Sequence, residues 1–370
     1  MLGAFSSLKN LLKISPVQID NWVFKLHYKA TMNILMMCSL LVTLRQYFGD
    51  PIDCLVEKVP AKIMNTYCWM QSTYTIINRL ETAVVGKDVA APGVGPVREG
   101  DMVQYHKYYQ WVCFVLFFQG LVFYVPRYLW KMWEAGKMKA LVAHLNGPII
   151  AEDTKNERKK LLVEFFINHM HNQNAYAARF FFCEFLNLVI VIGQIYLMNL
   201  FLSGFFIQYG FEVITMADKD PEDRFDPMAR LFPKLTGCTF NKFGPSGTLE
   251  QLNGLCVLSL NVLNEKIYVF LWFWFCLLAV TTILALLYRI TTLLGGRVRE
   301  HLLRSQARLA PLTDVQTVAR NCRIGDWFVL QLLASNIESI VFNELISDLA
   351  ARLDAQQELG LKPFDKTIVA

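Results

Sequence analysis

Charge is scarce in this 370-residue sequence: Asp, Glu, Lys and Arg make up 18% against 54% hydrophobic residues, where a soluble domain carries about 25% charged residues. That shortage argues against a chain solvated by water alone. Catalytic signatures are missing as well. There is no nucleophile elbow, no phosphate loop and no constellation of metal ligands, so an enzyme reading has no support. The nine cysteines lack the short C-x2–4-C knuckle of structural zinc sites. His27, His106, His144, His169, His171 and His301 are scattered, so neither a metal nor a cofactor is expected. No inverted repeat or pair of broken helices suggests a carrier, and no carbonyl filter motif or dense charged ring suggests tight ion selection. The opening MLGAFSSLKNLLKISPVQIDNW lacks the unbroken apolar core and cleavage site of a removable signal, which predicts a retained, cytosolic N-terminal segment.

What the sequence has instead is long apolar runs. Crossing a hydrocarbon core of roughly 30 Å takes about 20 helical residues, and four runs qualify. The stretch 267–288 is uncharged between Lys266 and Arg289, and 108–126 is uncharged between Lys107 and Arg127. A third, near 180–206, carries Glu184 alone. The weakest, near 30–48, has Arg45 close to its end. These runs predict an all-α membrane protein, a four-helix transmembrane bundle with spans at 30–48, 108–130, 180–203 and 267–290. An even span count puts both termini on one side. Lys9, Lys13, Lys25 and Lys29 before the first span, and Arg289, Arg297, Arg299, Arg304 and Arg308 after the fourth, mark that side as cytosolic. The segments 1–29, 131–179 and 291–370 are then inside, and the loops 49–107 and 204–266 outside. The +5 formal charge is an inside-face bias and not a nucleic-acid footprint.

Topology sorts the cysteines. Cys38, Cys113, Cys183 and Cys276 fall one per span and read as small apolar packing residues, while Cys322 lies in the tail. Cys54 and Cys68 fall in the first external loop, Cys238 and Cys256 in the second. Facing an oxidising exterior, these four are expected to form disulfides, with three connectivities open. Within the spans, Ser39, Thr43 and Gln46 share a helical stripe, with Met32 and Met36 nearer the cytosol. The stripe either lines a water path or hydrogen-bonds to another span. Glu184, Asn187 and Gln194 form a second stripe that reads as helix packing. Pro126 lacks an N–H and predicts a kink in the second span, either static or part of gating. Periodicity near 3.6 over 159–170 and 327–353 predicts cytosolic helices, and 354–370 reads as a mobile end.

Ordered motifs then carry a resemblance. Tyr108, Tyr109, Gln110, Trp111 and Val112, running on as CFVLFFQ, are similar to the signature of the innexin family. So are QYFGDPIDC at 46–54, YCW at 67–69, PRYLWK at 126–131, FGPSG at 243–247, NEKIYVFLWFWF at 264–275 and GDWF at 325–328. The resemblance covers essentially the whole chain. Connexins carry three cysteines per external loop and tetraspanins a CCG motif. Pannexins usually carry an external N-x-S/T sequon, which is absent here. Some positions depart from the family pattern: Ser259 stands for a proline, Gly237 for a lysine, Ser203-Gly204-Phe205-Phe206 for a more acidic run, and Ala135 interrupts Glu-Gly-Gly.

The resemblance implies a subunit of gap junction channels and hemichannels of the plasma membrane, passing ions and small metabolites by diffusion. A release-only hemichannel and a four-span adhesion scaffold are the other readings. It also implies a homo-oligomer of about eight subunits around an axis, or a hetero-oligomer with other innexins, docked to a counterpart on the next cell and solvated by membrane lipids. Family precedent pairs Cys54 with Cys256 and Cys68 with Cys238, intra-loop pairing being the alternative. It also folds Met1, Leu2 and the residues to about Lys13 into the pore mouth as a funnel, a membrane-surface helix being the alternative.

Overall fold

The computed structural model describes residues 17–57, 59–81, 91–143, 145, 152–216 and 227–358. In chain order they form α1 (Trp22–Lys25), a π-helical turn (Leu26–Thr31), α2 (Met32–Phe48), β1 (Asp53–Leu55), α3 (Ala61–Gln71), β2 (Thr73–Ile76), α4 (Asn78–Glu81) and β3 (Val103–His106). A 3-10 turn (Tyr108–Gln110) leads into α5 (Val112–Glu134), followed by α6 (Lys137–Val142), α7 (Glu152–His169), α8 (Asn174–Phe201), α9 (Phe206–Met216) and α10 (Pro227–Leu231). The strands β4 (Leu235–Phe243) and β5 (Leu249–Val257) precede α11 (Ser259–Leu294), α12 (Gly296–Gln306), α13 (Leu312–Asn321), α14 (Ile324–Ala334) and α15 (Ser339–Glu358).

Among the described residues three helices, α5, α8 and α11, are long and apolar enough to cross a membrane. The first apolar run is helical as well. Its α2 has only 17 residues, but α1 and the π turn lead straight into it from Trp22. Helices outlast the apolar runs because their ends continue into polar turns. Thus α11 begins at Ser259, and its 36 residues span about 54 Å, well beyond a hydrocarbon core. Pro126 is buried inside α5, which runs on through it to Glu134.

The described residues fall into two compact units. One comprises those of 1–30, 123–189 and 280–370, the other those of 31–122 and 190–279. The first unit is helical. Its core gathers Phe24, Trp130, Phe166, Phe180, Trp327, Phe328, Phe342 and Ile346, and edge-on ring pairs such as Trp130–Phe180 at 5.0 Å add specificity to apolar burial. The helical periodicity over 327–353 is realised as two helices, α14 and α15, with a break between them. There Asn336 leaves the helical ladder to clamp Gln18, accepting from its N–H at 2.6 Å and donating to its carbonyl at 2.7 Å. Of the end expected to be mobile from 354, residues 354–358 are the last turn of α15, and 359–370 lie outside the described residues.

The second unit carries a five-stranded antiparallel sheet in the order β1-β5-β4-β2-β3. The hairpin β4–β5 turns through Gly244 and Gly247, with Gly247 at φ 79°. Its rim presents Phe243, 77% exposed, and Leu249.

Ala135, where the family has glycine, sits at φ 50° just past α5, a left-handed conformation that costs an L-residue about 1–2 kcal/mol. Ala135→Gly is expected to relieve this strain for a net gain of about 0.5–1 kcal/mol after glycine's added unfolded-state entropy. The apparent Tm of the detergent-solubilised protein should rise by about 2 °C; an unchanged or lower Tm contradicts it.

Candidate functional site

Two disulfides pin the sheet. Cys54 is joined to Cys256 and Cys68 to Cys238, across 202 and 170 residues of chain. Cys54 lies directly opposite Cys256 in the β1–β5 register, while Cys68 comes from α3, so one bridge staples strand to strand and the other helix to sheet. All four sulfurs are buried in a small core with Ile52, Met64 and Leu258. The three sulfurs of Cys54, Cys68 and Cys256 lie close together, but as disulfide members they carry no thiolate for a metal. Gly237, beside this core, lies under Tyr74: a Cβ there would come within 2.7 Å of the tyrosine ring. Any larger residue there, lysine included, requires the Tyr74 ring to shift.

The signature residues tie α5 to that sheet. Tyr109 is buried, its hydroxyl donates to the Cys68 carbonyl at 3.4 Å, and its ring lies 4.7 Å from that of Trp69. The Gln110 amide donates to the Trp69 carbonyl. Tyr108 donates to the Leu231 carbonyl at 3.0 Å and meets Phe232 edge-on. Val112 is fully buried, whereas Trp111 is exposed. Ser259, in place of proline, donates its hydroxyl to the Asp50 carbonyl, tying the start of α11 to the chain entering β1.

Behind the signature, the His106 ring is 2% exposed and its Nε2 lies 2.8 Å from the Thr75 hydroxyl. Burial pushes its pKa down to about 4. The folded chain thus keeps the ring neutral while the unfolded chain protonates it below about pH 6.5. Stability is complete above pH 6.5 and falls as pH drops towards 4, by up to about 3 kcal/mol. His106→Gln should therefore lose less Tm between pH 7.5 and 5.0 than the parent protein; equal losses would remove His106 as the cause.

The predicted stripe on α2 divides. Met32 and Ser39 are buried within the subunit, and Ser39 donates to the Cys113 carbonyl of α5 at 2.8 Å. The Ser39 hydroxyl thus has its partner on the neighbouring helix, as an intramembrane polar group requires. Thr43 donates to the Ser39 carbonyl within α2, and Met36, Thr43 and Gln46 are half-buried. The exposed face of α2 carries Met37, Leu40, Leu41, Leu44 and Phe48. Met1 and Leu2 lie outside the described residues.

In the helical unit, sequence reasoning missed a charge network. Glu184, read as a packing residue of the third span, takes both Arg289 Nε and NH2 at 2.8 Å. From the sequence Arg289 reads as the fence after the fourth span and as one of the inside-face charges. Its guanidinium also lies 4.8 Å from the Phe181 ring centre. Asn21 caps α1 by accepting from Phe24 N–H and donates its amide to Glu184 at 2.5 Å. Asp20 pairs with Arg127 at 2.8 Å, and the Trp130 indole donates to the Ile19 carbonyl at 2.9 Å. Residues 18–21 are thus held at four successive positions. The GDWF motif closes the other side. Gly325 packs against the backbone of Gln173 and Asn174, where a Cβ would approach to 2.3 Å. Asp326 accepts from the backbone N–H groups of His171 and Arg323 at 3.1 Å. The signal for this network was one lone acid in an apolar run, since buried charge demands a partner.

Comparison with known proteins gives the family. The family model described as Innexin matches residues 20–353. The chain is 55% identical over 358 residues to Innexin inx2 of Schistocerca americana, covering 96% of this chain and 99% of that one. It is 54% identical over 367 residues to Innexin inx2 of Drosophila melanogaster, covering 99% and 100%, and 47% identical to Innexin shaking-B of the same fly over 96% of both chains. This chain belongs to the innexin family.

Proposed function

We infer that this chain is a subunit of gap junction channels, and that the same assembly acts undocked as a hemichannel. The observation that carries the reading is its end-to-end kinship with innexins, to which the disulfide-pinned sheet on long apolar helices adds a physical rationale. In the proposed topology four helical runs cross the plasma membrane, with both termini in the cytosol. The two loops, welded into one sheet, face the neighbouring cell. A docking surface must keep its shape without a large core, and cross-links between loops supply that rigidity. The β4–β5 rim with Phe243 and Leu249 is proposed as part of the docking face.

Subunits are proposed to close as a homo-oligomeric ring, with other innexins as alternative neighbours. Met36, Thr43 and Gln46 on α2 and the segment from Met1 and Leu2 to about Lys13 are proposed to border the pore. The clamp on residues 18–21 supports that reading, because it gives the preceding segment a rigid root.

Dual voltage clamp of paired expressing cells tests the function. Junctional current above that of uninjected pairs is expected. Current in single cells alone would reduce the reading to a hemichannel, and none in either, with protein at the surface, would favour a scaffold.

A further inference from the structure

A cavity of about 500 Å³ opens in the helical unit beside the first turns of α8 and the end of α11. Its walls are of two kinds. Ala177, Ala178, Phe181 and Leu293 make an apolar side, and Arg299 and Arg323 are two basic residues in the lining, with Ile324 beginning α14 next to them. Arg299 is half-buried and Arg323 exposed, and among the described residues neither joins an ion pair. Asp326, three residues on from Arg323, directs its carboxylate to backbone N–H groups and lies 3.4 Å from the His171 ring. The acid of α8, Glu184, is already taken by Arg289.

Two unmatched cations in a half-apolar cavity ask for an anion with an apolar body. The position adds to this, since α8 and α11 are apolar spans and Leu294, the residue after Leu293, is exposed. A free soluble anion would gain nothing from Phe181 and Leu293, whereas a lipid would bury its glycerol and upper acyl carbons there.

We propose that this cavity binds the phosphate headgroup of an anionic phospholipid of the cytosolic leaflet, held by Arg299 and Arg323, with its chains leaving past Phe181 and Leu293. The leaflet assignment rests on the topology proposed above; the binding chemistry does not. Such a lipid would bridge the end of α11 to α12 and the start of α14.

The test uses the full-length oligomer in detergent, native mass spectrometry, and phosphatidylserine or phosphatidylcholine of identical chains. About one phosphatidylserine per subunit should be retained and phosphatidylcholine should not. Arg299→Gln with Arg323→Gln should weaken retention about tenfold or more, while Arg308→Gln with Arg320→Gln, which removes the same charge elsewhere, should leave it intact. The first pair spares the backbone groups of Arg299 and Arg323 that bond Trp327 and Asp326. Should it fail to assemble, Ala178→Phe fills the cavity while keeping both charges, and must also lose the lipid. Retention unchanged in these variants, or equal retention of the two lipids, overturns the proposal. Complete displacement of phosphatidylserine by millimolar inorganic phosphate would also overturn it, by making a soluble anion the occupant. Lipid counting is independent of junctional current, so a chain that binds lipid without coupling cells separates failure of the function from failure of this site.

Discussion

Replacing Cys54 and Cys256 together by serine is expected to abolish junctional coupling. The strand β1 is three residues long and its register is centred on that pair. The core beneath it is small: Ile52, Met64 and Leu258 around the four sulfurs. A domain of that size cannot stabilise itself by apolar burial alone. Removing a native disulfide from such a domain costs about 2–5 kcal/mol, comparable with its whole stability. The Cys68–Cys238 bridge alone would then hold α3 on β4 while β1 lost its edge. Junctional conductance in paired cells should fall to background. Cys322→Ser, which alters a buried free thiol in the helical unit, should leave the conductance intact. Coupling at parental levels with the Cys54–Cys256 bridge removed would show that the sheet does not depend on it.

Glu184→Gln should be the most damaging single change in the helical unit. It leaves the Arg289 guanidinium buried against Phe180, Phe181 and Phe328 without a counter-charge, and breaking a buried pair from one side costs about 3–5 kcal/mol. For a chain of this size that corresponds to a fall in apparent Tm on the order of 10 °C. The loss should also reach the N-terminal root, since Asn21 donates to the same carboxylate. Replacing both partners, Glu184→Leu with Arg289→Met, removes the charges together and should recover much of the loss, because desolvation no longer opposes packing. Fluorescence-monitored gel filtration after heating measures both variants. A Glu184→Gln protein within about 2 °C of the parent would mean that water reaches Arg289 and that the pair is not effectively buried.

The relation of sequence to structure differs between these two sites. The four cysteines were visible as a two-plus-two pattern, but their spacing left three pairings open. Which sulfurs meet depends on β1 lying beside β5 and α3 lying on β4, contacts between segments some 200 residues apart. The Glu184–Arg289 pair was less legible. Each charge stood alone in its own apolar run, and no local pattern says that α8 and α11 present them to each other at one depth. Ser39 was read in one dimension as part of a polar stripe. Its burial against the Cys113 carbonyl follows from which neighbour α2 packs on, which periodicity does not encode.

By itself the sequence determined the solvent, the helical class and the family of this protein. Apolar run length, charge scarcity and ordered motifs are local properties that survive without a fold. Tertiary structure alone decided which polar groups are matched. It assigned Tyr109 and Gln110 to the carbonyls of Cys68 and Trp69, Asn336 to Gln18 and Arg289 to Glu184, and it left Arg299 and Arg323 facing a cavity. The physical reason is that in and beside a membrane every buried polar group must find a partner, and that partner is chosen by helix packing, not by proximity along the chain.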